Sequence, residues 1–414
     1  MTSTPVNDAS GLSLRRATDA DWDDIITTDA RAFAMRNPLP DDERADLRGK
    51  VDDSDIVLIR DDSRSPAPLV GVSMFYRMSL TVPGGSVRNA AGLSWVSVAS
   101  THRRRGILRR MLTELFGQWE SEGQVFAILT ASEGTIYERF GFGPACFSQQ
   151  VRIIPGSARM RAEAPPAATV RYAGADEVAA AVPDLHARWT RTTPGALGRT
   201  PAWWRPILAD RPSERPLAGS GLHYLLHDDG YASYRIIKPD SGPVHAEVNE
   251  VFAATDDAHT ELWRVLTSLD LIPSVTASIP VDDPLPVKLT DLRAPIVTGR
   301  SDDMWLRILD VPAALGARQY AADLDAVIEV VDGFRDHGGV FDVTVRHGGA
   351  IVAPSSATPT VRMDASVLAA IYLGGTRPST FAAAGRLWTA TPDLLHDLDH
   401  AFATTRAPFA GTFF

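Results

Sequence analysis

Cysteine is almost missing from this chain. Cys146 is the only one in 414 residues, so neither an internal disulfide framework nor a cysteine zinc cluster can form. With no histidine close to it in sequence, Cys146 is expected to be a buried structural thiol rather than a nucleophile. Lysine is scarce too: of 41 basic residues only Lys50, Lys238 and Lys288 are lysine, leaving 38 arginines. No apolar run approaches the roughly 18 to 20 residues of a membrane-spanning helix. The polar stretch 1–11 lacks the apolar core of a secretory leader. Basic excess is also missing. A net charge of -10 argues against a surface built for phosphate backbones. The expectation is a cytoplasmic protein with no metal, no membrane and no nucleic-acid partner.

What is present is enough apolar residue, 44%, to pack several cores, and a length that suggests two to four domains. The most informative stretch runs from Leu93 to Gly143. Trp95, Val96 and Val98 read as a strand ending near Val98. Arg103-Arg104-Arg105-Gly106 then turns the chain. Ile107, Leu108, Met111, Leu112, Leu115, Phe116 and Trp119 follow at helical spacing on one stripe. A helix start carries unpaired N–H groups and partial positive charge, so this turn suits a pyrophosphate. Gly106 lets the backbone approach closely, and the arginines add charge-assisted hydrogen bonds. A strand that stops pairing near Val96–Val98 has a free edge to offer to ligand amides. The plain alternative is an ordinary crossover with a solvated basic turn.

Arg103 to Leu108 resembles the Arg/Gln-x-x-Gly-x-Gly/Ala signature of GCN5-related N-acetyltransferases, with Leu108 in place of the small residue. The larger block resembles the enhanced intracellular survival (Eis) family, whose members also carry leucine there. That block is Val96-Ser97-Val98, His102 to Arg109, Ala131 to Gly134, Ile136-Tyr137 and Arg139 to Ala145. The resemblance implies acetyl-coenzyme A as cosubstrate and an amine as acceptor, aminoglycosides included. It implies a cofactor site of Val96, Ser97, Val98, Arg104, Arg105, Gly106, Ile107, Leu108, Arg109, Ser132 and Glu133. It also implies a homohexamer. The tyrosine at position 137 is the family's general acid, and its phenol has a proton to donate near neutral pH. Packing on Phe140 or Phe142 is the other use of that ring.

Amine acetylation also needs a base, because an ammonium cannot attack. His102, Glu133 and the chain terminus are the candidates in sequence. In the Eis family the C-terminal carboxylate enters the first domain's active site, which here is that of Phe414. The apolar ending 407–414 fits a threaded tail, and fraying is the alternative. Asp41, Asp42, Glu43, Asp46, Asp52, Asp53 and Asp55 form an acidic N-terminal segment. It reads as a solvated surface or as a means of steering a polycation.

Elsewhere, strands are expected at 12–15, 55–60, 69–80, 125–129 and 147–153, the last closing the sheet. Helices are expected at 18–33, with Trp22, Ile25, Ile26 and Ala30 on one face, and at 134–140. The stretch 155–168, rich in Ala, Pro and Arg, reads as a linker. Between 169 and 300 the same order of elements returns without the basic glycine turn, as in a degenerate second acetyltransferase fold that binds no cofactor. From about 302 short alternating strands and helices resemble a sterol-carrier-protein fold, with Trp388, Leu394, Leu395, Leu398 and Phe402 expected in its core. The fold class is thus α/β (α+β): two tandem acetyltransferase folds plus a sterol-carrier-like unit. The boundaries are 1–154, 155–168, 169–300 and 301–414. A non-catalytic lipid or small-molecule carrier is the competing function. It has no need of both the Arg104–Arg109 turn and Tyr137.

Overall fold

Two long runs rich in apolar residues, joined by the turn at Val82–Gly85, make the central hairpin of the first unit: β4 (Leu69–Thr81) and β5 (Val87–Val98) in the numbering below. The structure is a computed structural model and describes residues 6–7, 11–164, 170–335 and 337–414. Most of the polar 1–11 stretch and residues 165–169 of the expected linker lie outside the described residues.

The first unit runs β1 (Val6–Asn7), β2 (Leu12–Arg16), α1 (Trp22–Phe33), α2 (Asp41–Arg48), β3 (Ile56–Asp61), β4 and β5. It continues with α3 (Ile107–Ser121), β6 (Phe126–Leu129), α4 (Gly134–Tyr137) and β7 (Gly143–Ile153). The stripes on α1 and α3 pack onto opposite faces of its sheet. Trp22 and Ile25 on one side, and Met111, Leu112, Leu115, Phe116 and Trp119 on the other, are completely buried. Each such side chain contributes about 1.5–3 kcal/mol of transfer free energy.

The second unit runs β8 (Arg171–Ala173), α5 (Ala175–Thr190), α6 (Pro201–Ala209), β9 (His223–His227), β10 (Gly230–Ile237) and β11 (His245–Ala253). It ends with α7 (Asp256–Leu266), β12 (Val275–Pro280), α8 (Leu285–Lys288) and β13 (Pro295–Ile308). The third comprises α9 (Val311–Ala317), β14 (Leu324–Val331), β15 (Gly339–Arg346), β16 (Gly349–Pro354) and β17 (Val361–Asp364). α10 (Ala365–Tyr372), α11 (Pro378–Ala383), β18 (Leu387–Thr389) and α12 (Pro392–Phe402) complete it.

β7 does not close the first sheet as the sequence suggested. β13 inserts between β6 and β7, antiparallel to both, and β12 pairs with the far half of β7. The result is one 13-stranded sheet in the order β1-β2-β3-β4-β5-β6-β13-β7-β12-β11-β10-β9-β8. A separate 5-stranded sheet, β16-β15-β14-β17-β18, belongs to the third unit. α10, wholly buried, packs on β7 and β13 and ties the third unit to the first two.

Other expectations also shift. The acidic segment is not simply solvated: 41–48 form α2, and Asp46 and Asp55 are buried. Arg211 and Arg205 pair with Asp46, and Arg77 with Asp55 at 2.8 Å. The Asp46 pairs join the first unit to the second, and the Asp55 pair lies within the first. Trp388 is 50% exposed, not core, because β18 turns it to the outer face, where Arg362 lies over its ring. Leu398 and Phe402 are buried as expected, and Leu394 and Leu395 are half-buried. Residues 155–164 lie against the second unit: Arg161 N donates to Lys288 O at 3.0 Å and Thr290 N to Arg159 O at 2.8 Å.

Candidate active site

β5 and β6 run parallel and pair only from Ala90↔Phe126 to Leu93↔Leu129. Beyond that point β6 ends while β5 goes on to Val98, still paired with β4 on its other side. A bulge marks the divergence. Trp95 and Val96 oppose the single residue Ser73, and Trp95 takes a φ of 52°. A bulge re-aims the strand and leaves backbone groups unpaired. Among the described residues no strand pairs with the 94–98 edge that faces away from β4, as the sequence led us to expect.

The opening widens into a cleft of ≈ 680 Å³. Val96, Ser97 and Val98 form one wall. Arg104, Gly106, Ile107, Leu108 and Arg109 form the second, at the start of α3. Ser132, Glu133 and Tyr137 form the third, with Ile136 and Phe140. Gly106 is the residue before α3 and has a φ of 77°, a left-handed conformation that favours glycine. No atom lies within 4 Å of where its Cβ would stand, so the cleft side of the turn is open. Arg105 sits apart: it lines the neighbouring groove with Arg110 and Glu114.

Tyr137 is 8% exposed and packs edge-on against Phe142 at 6.1 Å between ring centroids. The packing on Phe142 is as the sequence allowed, and the residue also lines the cleft. Burial, with the nearby Glu133 charge adding to it, pushes its phenol up to about 12. At neutral pH its proton is in place. His102 also lines the cleft, but both ring nitrogens are engaged: Nε2 with Asp61 at 3.2 Å and Nδ1 with Thr101 at 2.8 Å. Glu133 is exposed at the rim.

Sequence reasoning missed Asp29. It is 3% exposed and accepts a 2.6 Å hydrogen bond from Ser97 Oγ, behind the β5 wall. Burial pushes its carboxyl up to about 6, with the Ser97 hydrogen bond pulling the other way. A signal was there: Asp29 lies on the same stripe as Trp22, Ile25, Ile26 and Ala30, an acid at an apolar position of α1.

The C-terminal tail threads between the first and second units. Phe409 N donates to Pro194 O at 2.9 Å, and Leu197 N to Ala410 O at 3.1 Å. The buried Arg199 clamps it twice, donating to Gly411 O at 2.8 Å and to Thr412 Oγ1 at 2.9 Å. Phe413 points out and is 82% exposed, beside Lys50, Trp203, Asp210 and Glu250. Phe414 reaches β5, where its ring edge lies 3.1 Å from the place a Cβ at Gly92 would occupy. Gly92 is one residue before the last β5–β6 pair, so the tail ends close to where the two strands part.

Comparison with known proteins agrees with this architecture. Residues 13–145 match the model of an acetyltransferase (GNAT) domain, 195–308 match a second acetyltransferase (GNAT) model, and 311–411 match a sterol carrier protein domain. The chain is similar to N-acetyltransferase Eis of Mycobacterium bovis, 38% identical over 400 residues that cover 95% of this chain and 97% of the relative. It is also 34% identical, over 94% of its length and 96% of the relative's, to an uncharacterized N-acetyltransferase of Streptomyces coelicolor. Among solved structures, Eis1 of Mycobacterium abscessus superposes with a TM-score of 0.84 at 30% identity, covering 97% of this chain and all 100% of that one. A GCN5-related N-acetyltransferase from Anabaena variabilis shares the fold at a TM-score of 0.82 and 20% identity, covering 97% and 100%. The strand-turn-helix cleft, the doubled acetyltransferase fold and the carrier-like third unit therefore have one account: the chain belongs to the Eis family of GCN5-related N-acetyltransferases and is an acetyl-CoA-dependent acyltransferase.

Proposed function

We propose that the chain acetylates amines of aminoglycoside-like or other polyamine substrates, protein lysines among the acceptors, by direct transfer in a ternary complex. The observation that carries this reading is the convergence on β5. The cleft opens along residues 94–98, and the chain terminus arrives at Gly92.

The cleft fits acetyl-CoA. Gly106 and the first turn of α3 present an open, N–H-bearing anion seat, and Arg104 and Arg109 stand beside it. The unpaired 94–98 edge suits amide groups of an extended ligand arm. Arg105 contributes from the adjoining groove. Bound acetyl-CoA supplies the activated acetyl group. The protein's own residues supply the proton handling. Tyr137 Oη holds a proton for the departing sulfur, and its upward-shifted phenol supports the role of donor. The terminal carboxylate of Phe414 takes the proton of the acceptor ammonium. His102 is less suited, because Asp61 and Thr101 already occupy its two nitrogens. Asp29 adds negative charge behind β5 once it ionises, which favours a cationic acceptor.

The same reading keeps the units as 1–154, 169–300 and 301–414 with a linker at 155–168, the boundary at 300/301 falling inside β13, and takes the assembly as a cytoplasmic homohexamer, following the family resemblance. Free thiol released from acetyl-CoA in the presence of a kanamycin-like amine tests the activity. A variant extended by a few residues after Phe414 tests the base. It should bind acetyl-CoA normally and transfer nothing. A fully active extended chain would remove the terminus from the mechanism and return Glu133 or His102 to it.

A further inference from the structure

The third unit reaches the cofactor cleft through the loop after β14. Phe334 on that loop lies edge-to-face against Phe140 of the first unit, at 4.9 Å between centroids, and against Phe116 of α3 at 5.3 Å. The Arg109 guanidinium stands over the Phe334 ring at 5.1 Å from its centroid. Arg109 and Phe140 both line the cleft. The loop is pinned from both sides. Asp332 pairs with Arg307 of β13, which is 1% exposed, and its Oδ1 accepts from Phe334 N at 3.1 Å. Arg335 makes a two-pronged pair with Glu120 of α3, at 3.1 and 2.5 Å.

We infer that Phe334 is a positioning residue for the cofactor site: its ring holds the Arg109 guanidinium at the cleft, making the sterol-carrier-like unit part of the acetyl-CoA site. The inference rests on the reading of the cleft given above. A guanidinium is attracted to a ring face by the ring's quadrupole. Among the described residues no carboxylate pairs with Arg109, so the ring is its visible restraint. An exposed arginine that is free to rotate must lose that freedom when it grips an anion. One already seated on a ring has lost much of it beforehand. The effect therefore falls on cofactor affinity and leaves the chemical step alone.

The test is a double-mutant cycle on the full chain, with acetyl-CoA affinity read by calorimetry and kcat and KM read by thiol release. Phe334→Leu keeps apolar volume against Phe116 and Phe140 and removes the ring face. It should raise the Kd and KM for acetyl-CoA about threefold to tenfold, with the change in KM rather than kcat. Phe334→Tyr should restore wild-type affinity. Arg109→Ala should weaken binding, and Phe334→Leu should add little in that background, because the partner is gone. If Arg109→Ala leaves affinity unchanged, the reading of the cleft itself fails. If Arg109→Ala weakens binding but Phe334→Leu does not, or the two effects simply add, the positioning role is overturned while the cleft stands. A Phe334→Leu chain that loses kcat and melting temperature together, with no change in KM, also overturns it.

Discussion

Gly92→Ala puts the tail's position to the test without touching the tail. The glycine backbone is not in the left-handed region, so an alanine there is opposed by crowding and not by backbone strain. A Cβ at that position would stand 2.6 Å from Met78 Sδ and 3.1 Å from Phe414 Cε2. Met78 is the far end of an unbranched side chain and can turn aside. Phe414 is held by the Arg199 clamp three residues back, at Gly411, and has less room to yield. Inserting a methyl into a packed site costs about 1–3 kcal/mol, and the adaptable methionine places this one at about 1. Stability should fall little. On the proposed role of the Phe414 carboxylate as base, the catalytic consequence is larger: a ring contact at 3.1 Å must yield by a few tenths of an ångström, and a misplacement near 1 Å costs on the order of 10²-fold. We expect kcat to fall about 3- to 10-fold in thiol-release assays, with acetyl-CoA affinity by calorimetry unchanged. Phe414→Leu in the same background removes the ring edge, keeps the terminal carboxylate and should recover part of the loss. Wild-type kcat in a folded Gly92→Ala chain would refute the argument, since the carboxylate would then be indifferent to where its own ring sits.

Three further outcomes are expected. Tyr137→Phe keeps the ring contact with Phe142 and removes only the hydroxyl; on the proposed donor role, turnover should drop roughly 10²-fold or more with cofactor binding nearly intact, and near-normal turnover would reduce Tyr137 to packing. Arg104→Ala should weaken acetyl-CoA binding by about 1.5–3 kcal/mol, the scale of a charged hydrogen bond, measured by calorimetry. Asp29 predicts a pH effect on stability. Its carboxyl rises from 3.8 to about 6 on folding, so between those values the native state holds the proton that the unfolded chain has released. Stability from this group is present below the lower value and is lost as pH rises through the upper one, about 3 kcal/mol at most. Melting temperature followed across that window should fall in the wild type and stay flatter in Asp29→Asn; identical slopes would show that Asp29 is ionised throughout.

The local parts of this protein were legible in its residues. The strand near Trp95–Val98, the glycine turn at Gly106 and the buried stripe of α3 depend on neighbours in sequence, and the structure has all three. The same holds for the short helix that carries Tyr137 and for most strands of the third unit. What joins these pieces depends on partners far apart in the chain. β13 enters between β6 and β7 through backbone hydrogen bonds, which carry no mark of residue type, so its place could not be read. Trp388 illustrates the same point for side chains: an apolar residue in a strand faces inward or outward according to register, and register is set by the neighbouring strand. Asp29 meets Ser97 across 68 residues, Arg335 meets Glu120 across 215, and Phe414 meets Gly92 from the other end of the chain. Local sequence decided which segments became the glycine turn at Gly106 and the short helix that carries Tyr137. Tertiary packing alone decided which distant acid and ring were brought against them and that the chain end expected from the family resemblance comes to lie at Gly92, because long-range contacts are selected by the shape and burial of whole units rather than by the spacing of residues along one.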